Sequence, residues 1–163
     1  MARSTIPTFP LIIFGVVEPA LLIWAYIVGT ADPFAYFADQ APNHAITASN
    51  SFPPQALGLT LQMLNVLLLL APIAVLCSFS RDATTARAYL LAVALADYGH
   101  IYGTYRAVGA DYFWNPAGWN GMVAGSVGVS AALNVLRLLT LAGGFGPIRE
   151  TLSGVTKNGK KRI

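Results

Sequence analysis

Residues 9–29 read FPLIIFGVVEPALLIWAYIVG, a run in which Glu18 is the only charged side chain. At about 1.5 Å of rise per residue, a helix of this length matches the roughly 30 Å hydrocarbon core of a bilayer. A cleaved signal peptide has a shorter apolar core of about 7 to 15 residues and no acid at its centre. The stretch therefore reads as a membrane span. The rest of the chain repeats the pattern: no Lys, Arg, Asp or Glu occurs from Gln40 to Ser80. Further apolar runs follow near 87–106 and 119–142.

Composition agrees. Of 163 residues, 55% are hydrophobic and 10% charged, against about 25% charged in soluble domains. That balance excludes a disordered chain, a coiled coil and a disulfide-stapled secreted module. The length accommodates four spans of about 20 residues with short loops and no second soluble domain. The expected fold is all-α, an integral membrane four-helix bundle with spans at about 9–29, 55–79, 87–106 and 119–142 and a basic tail over 143–163. Pro72 is expected to kink the second span.

The loops set the orientation, because short cytoplasmic loops collect Lys and Arg. Arg3, Arg81, Arg87, Arg149 and the final basic cluster fall on one side; Asp32, Asp39 and Asp111 fall in the opposite loops. Both termini are thus expected in the cytosol. The chain ends Lys160-Lys161-Arg162-Ile163, a two-lysine pattern that returns multi-pass proteins to the endoplasmic reticulum membrane when a receptor reads it. The rival reading is a plain basic tail held at anionic headgroups. The net charge of +3 comes largely from this tail, so nucleic acid is not an expected partner; the lipid bilayer is. Cys77 is the single cysteine and offers no disulfide or multi-cysteine metal site. The first lumenal loop, with Asn43, Pro53 and Pro54, reads as irregular, a lid or re-entrant segment.

Ionisable groups at membrane depth normally face a bundle interior, a partner or water. Glu18 is one. Pro19 follows it and has no N–H, which frees the carbonyl of Gly15 and makes a polar notch. In span three, Asp97, His100 and Thr104 share a face at about 100° per residue, and the Asp97–His100 spacing suits a hydrogen bond that fixes the imidazole for proton transfer. Tyr98 lies on an adjoining face. Span two offers Gln62 and Asn65, which could orient a water or a substrate oxygen or bond between helices. Trp114, Asn115, Trp119 and Asn120, at the entry to span four, fit either an interfacial belt or the roof of a pocket. Ser130, Asn134 and Arg137 recur along one stripe; Arg137 can pair with Glu18 or Asp97, or snorkel to cytosolic headgroups. Gly121, Gly125 and Gly128 would allow close helix approach and suit a homo-oligomer. Glu18, Gln62, Asn65, Asp97, His100 and Asn120 are expected to form a polar column from the bilayer centre toward the lumen, inside an apolar pocket for a hydrophobic small molecule.

Glu-Pro in span one, Ala-Asp-Tyr-Gly-His at residues 96–100 and Trp-Asn at 119–120 give the chain a resemblance to small fungal four-span proteins. It resembles the membrane epoxide hydrolases and cyclases of aurovertin-type and citreoviridin-type polyketide clusters. The resemblance implies opening of a polyketide epoxide by water or an internal hydroxyl without a cofactor or metal. Glu18 and Asp97 would be acid and base, with His100 as orienter or relay. Gln62, Asn65 and Asn120 would position water or substrate, and Tyr98, Trp114, Asn115, Trp119 and Arg137 would line its site. Alternatives are a membrane terpenoid cyclase or isomerase, and a non-catalytic membrane scaffold or carrier.

Overall fold

A computed structural model describes residues 4–44, 46 and 52–149. The tail with Lys160-Lys161-Arg162-Ile163, and part of the first loop, lie outside the described residues. Among the described residues every regular element is helical. Four helices are long: α1 Thr8–Ala31, then, after the short α2 Pro33–Ala38, α3 Pro54–Ser78, α4 Ala83–Val108 and, after α5 Ala110–Phe113, α6 Gly121–Leu141. α1, α3 and α6 are long and apolar enough to cross a membrane, with mean hydropathy 2.3, 2.2 and 1.6 over their best stretches. α4 is the longest at 26 residues but carries Arg87, Asp97, His100 and Arg106. α3 continues through Pro72 as one helix.

The missing N–H of Pro19 reshapes α1. The helix widens over Ile13–Val17, where the Glu18 N–H reaches back five residues to the Ile13 carbonyl. Such a π turn offsets the faces on either side of it by about 100°. α6 carries a second one over Ala124–Val129. α4 begins on Asp82, whose carboxylate accepts from the Thr85 N–H at 2.8 Å, the Thr84 N–H at 3.2 Å and the Thr85 hydroxyl at 2.5 Å.

α1 packs along α3, and α4 along α6. The two hairpins join at both ends. At the end that holds Thr5 and Arg149, the Thr5 N–H bonds the Ser80 carbonyl, the Arg149 N–H bonds the Thr5 carbonyl, and Arg87 donates to the Ile148 carbonyl. Ile6, Phe14, Ala83, Ala86, Leu90 and Ile148 form an apolar cluster there. At the far end Val108, Phe113, Val123 and Val127 form another, sealed by Asn43 donating to the Val108 carbonyl and Asn120 to the Asp39 carbonyl.

Glycine fixes the α1–α3 contact. A methyl group on Gly29 would collide with Leu64 and lie 2.9 Å from Tyr36; one on Gly15 would lie 2.7 Å from the Phe79 ring. Open space surrounds Gly121, Gly125 and Gly128, so no helix of the described residues approaches them closely within the chain.

Two outcomes follow from this packing. Gly29→Ala should destabilise the solubilised protein by about 1–3 kcal/mol through overpacking, while Gly125→Ala leaves its melting temperature unchanged or higher; equal losses at both positions would contradict the arrangement. The bonds from Thr85, then Thr84, hold the Asp82 carboxyl below its ordinary range, so its contribution is present above the unfolded-state value and is lost as pH falls through the folded one. Asp82→Ala should therefore lower the melting temperature at neutral pH and make no difference in acid below that range.

Candidate functional site

Between the two apolar clusters lies a polar set built on Arg137. Its guanidinium donates to a Glu18 oxygen on α1 and, at 2.5 Å, to an Asp97 oxygen on α4. Arg137 is 0% exposed, Glu18 7% and Asp97 9%, so the three are shut away together. The ring of Phe14 lies 5.1 Å from the guanidinium carbon and covers its face. Such a cation–π contact is worth up to about 2 kcal/mol when desolvated. Asn134, one turn before Arg137, donates to the Ala94 carbonyl at 2.7 Å and lies 3.5 Å from the same Asp97 oxygen.

Helix direction explains why these side chains meet. Cα–Cβ bonds tilt toward a helix's N-terminus. α6 starts at the far end, so Arg137, four residues before Leu141, leans inward and away from the nearer end. α1 and α4 start at the end that holds Thr5 and Arg149, so Glu18 and Asp97 lean back toward it. The three converge from opposite directions. The snorkelling considered for Arg137 is not made.

Two carboxylates and one guanidinium leave an unmatched acceptor. Glu18 Oε2 and Arg137 Nε are both buried without a hydrogen-bond partner among the described residues. A buried donor and a buried acceptor beside an ion pair are the groups that one water or substrate hydroxyl would satisfy.

The expected column is only partly assembled. Glu18 and Asp97 are brought together, through Arg137. The Asp97–His100 hydrogen bond is not formed: Asp97 accepts from Arg137 and Asn134, and His100 stands exposed one turn further on. Gln62 and Asn65 are also exposed, on the side of α3 away from the stripe Thr60, Leu64, Ala71 that packs on α1. Asn120 lies 17 residues, or about 25 Å of helix, from Arg137. There its oxygen caps α6 by accepting from the Val123 N–H at 2.9 Å. Trp119 donates to the carbonyls of Tyr112 and Phe113, which makes it part of the far-end cap. Trp114 is 76% and Tyr98 54% exposed, and Asn115 is exposed as well. A cleft of about 680 Å³ lies elsewhere, among Thr8, Leu11, Phe145 and Arg149, about 10–15 Å from Glu18 along α1.

Phe14 and Asn134 join the site without having been singled out for it. Their signal was present: Phe14 is four residues before Glu18, and Asn134 three before Arg137. No group of three or more His, Cys, Asp or Glu able to hold a metal occurs among the described residues.

Removing the cation alone should be severe. Arg137→Leu leaves two buried carboxyls facing each other and should cost about 3–5 kcal/mol. Adding Glu18→Gln and Asp97→Asn to it should restore most of that loss in a solubilised melt. A single Arg137→Leu variant as stable as the native chain would contradict the paired arrangement.

No curated protein and no solved structure matches the chain. A family model does, over residues 3–147, a stretch that takes in all four long helices together with Glu18, Asp97 and Arg137. The chain thus belongs to the family described as a domain of unknown function, DUF7704.

Proposed function

We propose that the chain is a four-span enzyme of the endoplasmic reticulum membrane that opens a polyketide epoxide by carboxyl acid/base catalysis at Glu18 and Asp97. The observation that carries this reading is the buried, unpartnered Glu18 Oε2 beside a guanidinium already shared with a second carboxylate. In this reading α4 spans alongside α1, α3 and α6. The end with Arg81, Arg87 and Arg149 faces the cytosol, and the end with Asp32, Asp39 and Asp111 faces the lumen. The Lys-Lys-Arg-Ile terminus supplies the address.

Epoxide opening breaks one carbon–oxygen bond and forms another from the opposite face. The departing oxygen gains a proton, and the attacking water or internal hydroxyl loses one. Two carboxyls on one guanidinium carry one more negative charge than positive. A single proton held between them makes the set neutral and supplies one acid and one base. Arg137 and Asn134 hold both in place, and Phe14 with the flanking apolar clusters keeps bulk water out. The likeness to the membrane epoxide hydrolases and cyclases of polyketide clusters supplies the reaction class. A membrane terpenoid cyclase or isomerase would use the same carboxyl pair.

The fully buried Arg137, engaged on both sides, also favours a second reading. There the set is a structural clamp in a non-catalytic scaffold or carrier. Microsomes containing the chain, fed an epoxidised polyene polyketide in oxygen-18 water, separate the two. Label in a diol product indicates hydrolysis, an unlabelled cyclic isomer indicates internal attack, and Asp97→Asn should lower either by about 10²-fold or more while the protein still elutes as folded. No conversion by the native chain would sink the epoxide reading. Conversion unchanged in a folded Asp97→Asn variant would remove Asp97 from the chemistry.

A further inference from the structure

The outward face of α3, a helix long and apolar enough to cross a membrane, carries polar groups near its middle. Asn65 is the twelfth of the 25 residues of Pro54–Ser78, close to the middle of the helix. The buried residues Thr60, Leu64, Ala71, Ala74 and Ser78 mark the side turned to α1. At about 100° per residue, Asn65 lies about 140° and Gln62 about 200° around the helix from Thr60. Both are exposed. An amide left facing acyl chains has two donors and an acceptor with nothing to bond, which the hydrocarbon region does not tolerate cheaply.

The same face has a second regularity. Gly58, Asn65 and Pro72 are seven residues apart, and so are Leu61, Leu68 and Val75 between them. These are the alternating three- and four-residue steps of a heptad seam, with apolar side chains at one position and a lone Asn at the other. A single Asn in that position fixes register and partner number in paired helices. Leu61, Leu68 and Val75 are 41%, 36% and 37% exposed, and a methyl group on Gly58 would meet nothing within 4 Å, which leaves room for a neighbouring helix.

We propose that this face is the interface of a parallel homodimer, in which Asn65 bonds Asn65 of the partner subunit across a two-fold axis along the membrane normal. A second copy is the occupant that the observations fit. All copies inserted with the same orientation present α3 in parallel and Asn65 at one depth. A carboxamide both donates and accepts, so it complements itself. The heptad spacing then places Leu61 and Leu68 against their own counterparts. The inference does not depend on the epoxide reading, since Asn65 lies on the side of α3 turned away from Arg137's partners on α1.

The full chain, fluorescently tagged and reconstituted at low density in phosphatidylcholine vesicles, should bleach in two steps. Asn65→Leu should weaken association about three- to thirtyfold, and Asn65→Gln should retain most of it. In a Cys77→Ala background with copper phenanthroline as oxidant, Leu61→Cys and Leu68→Cys should cross-link between copies. Leu59→Cys and Val66→Cys, more exposed but about 100–120° around the helix from Asn65, should not. Single-step bleaching of the native chain, equal cross-linking at all four positions, or association unchanged by Asn65→Leu would each overturn the proposal. So would an Asn65→Leu variant that stays dimeric and loses only turnover, which would assign the amide to substrate.

Discussion

A guanidinium with no exposed surface has to be neutralised where it sits, and Arg137 meets that demand with one carboxylate from each hairpin. The bond to Glu18 reaches the α1–α3 pair, while the bond to Asp97 stays within the α4–α6 pair, so one side chain ties the hairpins together at mid-depth. The contacts at the two ends are made by backbone groups and short polar side chains. Between them the apolar surfaces of a membrane helix distinguish poorly between a neighbouring helix and lipid. A charge set that exists only when α1, α4 and α6 are correctly placed gives the bundle one geometry. Buried ion sets of this kind add little net stability compared with a well-packed apolar replacement.

The surroundings make the set chemically unusual. Apolar clusters lie above and below it, and the Phe14 ring closes one face. In so dry an environment a hydrogen bond or a charge acts more strongly than in water, and a leftover donor or acceptor is correspondingly reactive toward a small polar group. The π turn in α1 is part of the same construction. It absorbs the missing N–H of Pro19 and sets the relation between Phe14, before the widened turn's end, and Glu18 just after it.

The spans were legible because uninterrupted apolar runs leave few alternatives, and three helices fall within a few residues of the stretches read from sequence. Their cytosolic or lumenal ends and the count of four rest on the distribution of arginines and on α4, the least apolar of the long helices. The two carboxyls were legible as well, since an acid inside such a run needs a partner. Their actual partner was harder to choose. Depth counted along the backbone put Arg137 near an interface, yet the tilt of side chains toward a helix's start carries it inward by most of its length. Depth also grouped Gln62 and Asn65 with Asp97, although the direction in which α3 presents them depends on which side packs against α1. The glycines of α6 show the same limit from the other side: small residues permit a close approach but do not say that one occurs, whereas Gly29 against Leu64 has it.

Biosynthesis meets the central ion set in a fixed order. Glu18 and Arg137 are 119 residues apart in the chain, so at about 5–20 residues per second the acid leaves the ribosome about 6 to 24 s before its cation. Through that interval Glu18 is without its cation, and Asp97 joins it in the same condition. The last helix to be made is the one that releases both. A chain cut short between residues 97 and 137 would carry both acids without the cation that pairs them, so only the finished molecule has its central charges matched.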